Sequence, residues 1–206
     1  VTVLPRSVTA LGVAVLALLF ERPMHPYEMF QLLGARRRDR VVKVRPGSLY
    51  HAVERLERDG LVVVSGTDRQ GNRPERTTYE ITDTGRAAVR EWVTDTVPAP
   101  TPEYPRFTLG LAELHNLGSA EALALLDRRM EALGVELAEL DALERLAQER
   151  AVPELFTIPF SYTRAMVEAE LAWLRTFVDR VRGGDVPWVT EEHLASLKLA
   201  DQKGNR

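Results

Sequence analysis

The fold of this chain turns on residues 44–64, VRPGSLYHAVERLERDGLVVV, from Val44 to Val64. Pro46 suits the first position of a helix, where its missing N–H has no intrahelical partner to lose. Leu49, Val53 and Leu56, spaced by four and three, mark one buried stripe. Ser48, His51, Arg55 and Arg58 fall on the opposite side. Gly60 supplies the left-handed backbone that closes a helix. Leu61-Val62-Val63-Val64, rich in β-branched residues, has strand propensity. The stretch therefore predicts a short helix passing straight into a strand. Any surface helix shows one apolar and one charged face. What marks this one as a candidate reader of DNA is the set of donors and cations on its outer face, which suit base edges and phosphates, together with its neighbours.

Upstream, Val8 to Phe20 (VTALGVAVLALLF) is apolar nearly all round and predicts a helix at the centre of a small domain, capped by Ser7 or Thr9. It is too short to span a bilayer, and Glu21-Arg22-Pro23 follows it rather than a small-residue cleavage site. No other stretch approaches membrane length. A second helix is expected between Pro26 and Gly34, with Tyr27, Phe30 and Leu33 on one face. A basic run, Arg36 to Arg45, then leads into the central helix. Such a run is usually a solvated loop; here its position also suits phosphate contact.

Downstream of the strand, 66–75 is polar, with two glycines and a proline, and reads as a hairpin loop. Thr77, Tyr79 and Ile81 alternate in the return strand. Thr82-Asp83-Thr84-Gly85 is a turn able to cap a helix running to about Val97, with Val89, Trp92 and Val93 on one side. The order helix, helix, basic link, helix, strand, loop, strand, helix is that of a winged helix-turn-helix.

Composition allows a second module. The chain has 206 residues, 45% apolar and 28% charged, with a net charge of −3 and no cysteine. That excludes disulfides and thiolate metal sites and fits a reducing cytoplasm. Charge is unevenly placed. Residues 36–76 hold eleven Lys and Arg against six Asp and Glu, while residues 98–206 hold twelve against eighteen. A basic patch joined to an acidic remainder fits a DNA module attached to one of another kind.

Four prolines between Val97 and Pro105 place a linker at 98–105, between a winged-helix domain at 1–97 and a helical domain at 106–206. The second domain should open with a short helix, Phe107 to about His115. Leu123, Leu126, Met130, Leu133, Leu137 and Leu140 then step by three and four along a long helix from Ser119 to about Arg150. Gly134 within it costs helix propensity and would permit close approach of another backbone. Pro153 and Pro159 bracket a turn. A further helix, Ser161 to Arg182, carries Leu171, Leu174 and Val178, and a last short one is expected near Pro187–Leu199. These narrow seams suit either an intramolecular hairpin or a bundle completed by a second subunit. The second is preferred here, because winged-helix proteins commonly read two half-sites as two-fold dimers.

The N-terminal motifs resemble those of the PadR family of bacterial transcriptional regulators. The resemblance is carried by His25-Pro26-Tyr27-Glu28, by Arg45-Pro46-Gly47-Ser48-Leu49-Tyr50-His51-Ala52 with Arg55-Leu56-Glu57-Arg58-Asp59-Gly60-Leu61, and by Tyr79-Glu80-Ile81-Thr82 with Gly85 and Trp92. It covers about residues 8–97. The C-terminal half is similar only in kind, to the branch with an extended helical domain related to a virulence-gene activator. The resemblance implies a mainly α protein with a small β-hairpin, dimerising through antiparallel C-terminal helices. It also implies a homodimeric repressor or regulator that responds to phenolic acids or hydrophobic drugs.

The candidate DNA contacts are Lys43, Arg45, Ser48, Tyr50, His51, Arg55, Arg69 and Arg73. Ser48 sits where helix N–H groups favour phosphate, though it could equally cap the helix. Tyr50 could meet sugar-phosphate or pack on the wing. His51 and Arg55 suit base edges, unless Arg55 is held by Glu54 or Asp59. Glu54 and Glu57 would repel phosphate and are expected to face away or orient an arginine. Arg69 and Arg73 belong to the wing loop. Tyr27 is expected to pack rather than make contact. Phe107, Phe160 and Trp173 are candidates for an effector pocket, against the plainer reading of aromatic core. The four histidines show no metal spacing, and no P-loop, GxSxG or GxGxxG occurs. No catalytic site, metal or cofactor is expected. The partners expected are an operator duplex, a second copy and a small molecule. The alternative is a winged helix that binds another protein.

Overall fold

The computed structural model describes residues 8–68, 76–100 and 102–189, and the chain divides after Pro102 into two compact units. The wing arginines Arg69 and Arg73 lie outside the described residues, as does the expected helix beyond Thr190.

The first unit is built around α1 (Ala10–Leu19). Thr9 caps it by accepting the Gly12 N–H at 3.2 Å, and Val15, Leu16, Leu18 and Leu19 are buried. α2 (Pro26–Ala35) starts on Pro26 and buries Met29 and Leu33. Phe30 packs against the same core, but Tyr27 is exposed. The expected face is thus rotated toward Met29, and Tyr27 is free to meet solvent. A 3-10 turn, Arg38–Arg40, leads to α3 (Pro46–Arg58). Leu49, Val53 and Leu56, with Ala52, fill the centre of the unit as one stripe.

α3 ends in a Schellman arrangement. Gly60, at φ +69, donates to the Glu57 carbonyl at 2.9 Å, and Leu61 donates to the Leu56 carbonyl at 2.8 Å. The buried Leu56–Leu61 pair seals the exit, and the chain enters β1 (Val62–Asp68) without a loop. β1 pairs antiparallel with β2 (Arg76–Ile81), in a register from Val62 opposite Ile81 to Asp68 opposite Arg76, with a bulge between Val64 and Gly66. Met24 adds a rung that the sequence did not suggest: Met24 and Tyr79 exchange two backbone hydrogen bonds at 3.0 Å. This ties the entry of α2 to the wing. α4 (Asp83–Thr96) starts at Thr82, whose hydroxyl accepts from Gly85 N–H at 3.0 Å and donates to the Gly60 carbonyl at 2.8 Å. Its buried face is Gly85 and Ala88, with Val89 partly covered; Val93, expected on that side, is exposed.

The second unit holds α5 (Arg106–Ala112), α6 (Ser119–Glu149) and α7 (Ile158–Arg182). The cap of α6 is Gly118 rather than Ser119, and Pro159 lies in the first turn of α7 rather than in the preceding turn, where a proline's fixed φ is tolerated. α6 and α7 run antiparallel. The order is set by Asp127 with Arg182, Arg129 with Glu170, and Asp141 with Arg164 at 3.0 Å. Leu126, Leu133, Leu140, Val167, Leu171, Leu174 and Val178 bury one another, and Leu123, Met130 and Leu137 pack on them. The seams named as a dimerisation face are therefore filled within one chain, because two facing heptad lines satisfy each other. Phe107, Leu111 and Leu114 close the same cluster. Trp188 donates its indole N–H to the Leu117 carbonyl at 2.8 Å.

Gly134 faces open space, with nothing within 4 Å of where a Cβ would stand. It does not bring another part of this chain close. Gly134→Ala is therefore expected to stabilise the protein by about 1 kcal/mol, the usual gain for an exposed helix interior. Urea unfolding of the full chain measures this, and a loss of stability instead would place a second chain against that position.

Candidate nucleic-acid interface

The exposed side of α3 has three zones, set by helical spacing. Ser48 and Arg55, seven residues apart, share one flank. Tyr50 and Glu57, also seven apart, share the other. His51, Glu54 and Arg58 run along the crest between them. All seven are exposed, while the stripe beneath is not. No side chain caps α3 at its Arg45 start, and Ser48 lies within its first turn rather than at the cap. The first-turn N–H groups are thus left for an outside acceptor.

The Tyr50 flank faces the wing. His25, Pro26, Tyr50, Glu54, Thr77 and Tyr79 line a cleft of about 210 Å³ between α2, α3 and β2. That is below the roughly 300–1,000 Å³ of ordinary small-molecule sites, and the cleft is open. Tyr50 meets His25 edge-on, ring centroids 6.4 Å apart, so it both packs and keeps an exposed edge. Burial pushes the Tyr79 phenol up from its ordinary pKa. The nearby carboxylates of Glu57 and Glu54 push it the same way.

The two carboxylates lie toward the wing, and among the described residues neither pairs with an arginine. Both lie near enough to the Tyr79 phenol to hold its proton on, and Glu54 Oε2 lies 3.3 Å from His51 Nδ1. The His51–Glu54 spacing of three was visible in the sequence. Which flank meets the wing was not. Arg55 is therefore not held by Glu54. Among the described residues no carboxylate pairs with Lys43, Arg45, Arg55 or Arg58, and all four are exposed.

Two nearby arginines are less available. Arg36 is bidentate to Glu21, one contact being 2.8 Å, and this hydrogen bonding holds the Glu21 carboxyl below its ordinary range. Arg22 does the same to Glu28 at the start of α2. Arg37 adopts a left-handed backbone, φ +54, as the run turns.

The residues named for an effector pocket are not brought into one site. Phe160 and Trp173 are thirteen positions apart on α7, about 20 Å along its axis. Phe107 lies beneath the Arg129 guanidinium, 3.4 Å from its ring centroid, and Arg129 pairs with Glu170. Trp173 instead stacks on Phe177, 5.3 Å away, and stays half exposed. No helix among the described residues is long and apolar enough to cross a membrane.

Residues 15–91 match the model of the transcriptional regulator PadR-like family, a family of regulators and not of enzymes. No curated protein matches the chain. Among solved structures, the chain is similar to Bacillus subtilis PadR in complex with operator DNA. Identity is 18% and TM-score 0.72, over 84% of this chain and 99% of that one. It is also similar to the same protein in complex with p-coumaric acid, at 17% identity and TM-score 0.66, over 84% and 95%. A third likeness is to the Vibrio cholerae virulence activator AphA, at 17% and 0.65, over 84% and 99%. At these identities the likeness is one of fold: a winged-helix unit followed by a long helical hairpin.

Proposed function

Starting from a chain whose residues 15–91 belong to the PadR-like family of transcriptional regulators, we propose that it is a sequence-specific DNA-binding regulator, a repressor, acting as a homodimer on a pseudo-palindromic operator in the bacterial cytoplasm. One observation carries the reading. The outer side of α3 presents Arg55, with no carboxylate partner among the described residues, together with Arg58 and His51, next to a two-stranded wing. Arg is suited to guanine, and Lys43 and Arg45 stand where the helix start meets phosphate. Arg69 and Arg73 would extend the contact from the wing loop.

Since the hairpin seam is filled internally, the second copy is assigned to the remaining apolar line on α7. Tyr162, Met166 and Trp173 are exposed there at 65%, 55% and 48%. A dimer would set two copies of α3 in successive major grooves, with half-sites about 10 bp apart or a multiple of that.

Gel shifts on a duplex selected from random sequence test the whole proposal. A selected consensus with inverted half-sites is expected. Arg55→Ala should weaken binding to it by about tenfold, the worth of one good base contact, with helicity unchanged. An Arg55→Ala protein that binds at wild-type affinity would sink the assignment. A selection yielding no consensus would favour a winged helix that binds protein instead. Small aromatic acids are the effector class we propose. p-Coumaric acid is the natural probe, added to the same shifts and expected to release the duplex.

A further inference from the structure

A carboxylate on the crest of a DNA-facing helix needs an explanation. The potential next to duplex DNA is strongly negative, and an exposed Glu is repelled unless it meets a donor. Glu57 lies on the flank toward the wing, near the Tyr79 phenol. Glu54 adds to the negative charge near Tyr79 and pairs with His51, and both side chains of that pair are largely exposed, at 60% and 79%. A carboxylate can only accept, so in the neutral ring the proton of this pair sits on His51 Nδ1, and Nε2 is left as an acceptor. With the ring neutral, the pair offers two further acceptors, Oε1 of Glu54 and Nε2 of His51, and no donor.

The major-groove edge that fits such a pair carries an amino group. Guanine presents N7 and O6, both acceptors, and thymine presents O4; each would repel the pair. Adenine has an N6 amino group, but its N7 acceptor stands beside it. Cytosine shows its N4 amino group with no acceptor on the same base edge. We propose that Glu54, buttressed by His51, selects cytosine at one position of each half-site. The proposal rests on the assignment of α3 as the DNA-reading helix.

Selection from random duplexes, run in parallel on the full-length wild type, E54Q and E54A, separates the possibilities. The wild type is expected to favour cytosine about tenfold at one position per half-site. In E54Q the preference at that position should pass to adenine, which glutamine reads bidentately, with all other positions unchanged. In E54A the position should become degenerate. Affinity for unrelated duplexes should hold or rise in both variants, since a negative charge is removed. Variants that keep the wild-type cytosine, or that lose affinity equally for every sequence, overturn the inference while leaving the regulator reading intact. A wild type with no consensus overturns the regulator reading itself.

Discussion

Gly85→Ala is expected to destabilise the N-terminal unit by about 3 kcal/mol, the upper part of the range for overpacking a filled site. Gly85 sits in the first turn of α4, buried, with its N–H on the Thr82 hydroxyl. A Cβ there would stand 2.2 Å from the Leu61 carbonyl oxygen, 3.1 Å from the Leu61 carbonyl carbon and 2.8 Å from Ile81 Cγ1. The Ile81 side chain can turn aside; the Leu61 carbonyl cannot. It accepts the Thr82 N–H at 3.1 Å, and it belongs to the residue that closes α3 and opens β1. Relief therefore requires moving α4 away from the joint between α3 and the wing.

The sign makes the test sharp. Alanine ordinarily gains about 1 kcal/mol over glycine in a helix, which is the expectation at Gly134. The same substitution in α4 and α6 should shift urea midpoints in opposite directions. A Gly85→Ala protein as stable as the wild type would mean that α4 does not approach this joint so closely. DNA binding should fall with stability at Gly85 and be untouched at Gly134.

Much of α3 was legible because its signals are local. The four–three spacing of Leu49, Val53 and Leu56 names the buried stripe, and Gly60 three residues past Glu57 names the stop. The outer face follows by subtraction. The neighbours of Glu54 and Glu57 were not legible because they are not local: Tyr79 lies more than twenty positions on, and only the pairing of β1 with β2 brings it alongside. The Met24–Tyr79 bridge was invisible for the same reason, being a backbone contact with no side-chain signature. In the second unit the heptad line showed which residues are buried but not what buries them. A seam facing α7 and a seam facing another subunit have the same period. Aromatic residues were likewise counted correctly and grouped wrongly, since composition carries no distance along a helix.

Raising salt from 50 to 200 mM is expected to weaken operator binding by on the order of 10³ to 10⁵-fold, the loss that goes with releasing counterions from six to ten phosphates. The chain's net charge of −3 argues against a diffuse attraction, so the effect has to come from placed cations. Lys43, Arg45, Arg55 and Arg58 are exposed and, among the described residues, unpaired with carboxylates, whereas Arg36 and Arg22 are held by Glu21 and Glu28. With Arg55 left to a base, two copies of the other three make six, the lower end of the number of contacts required. The individual substitutions should then separate by role. Lys43→Ala, at a phosphate, should lower the slope of log affinity against log salt by about one for each protomer, and weaken all sequences alike. Arg55→Ala, at a base, should cost discrimination more than slope. Arg36→Ala should change neither, since its charge is already answered by Glu21. A slope near zero in the wild type would mean that these cations do not meet phosphate, and the outer face of α3 would then be a surface for an acidic protein rather than for DNA.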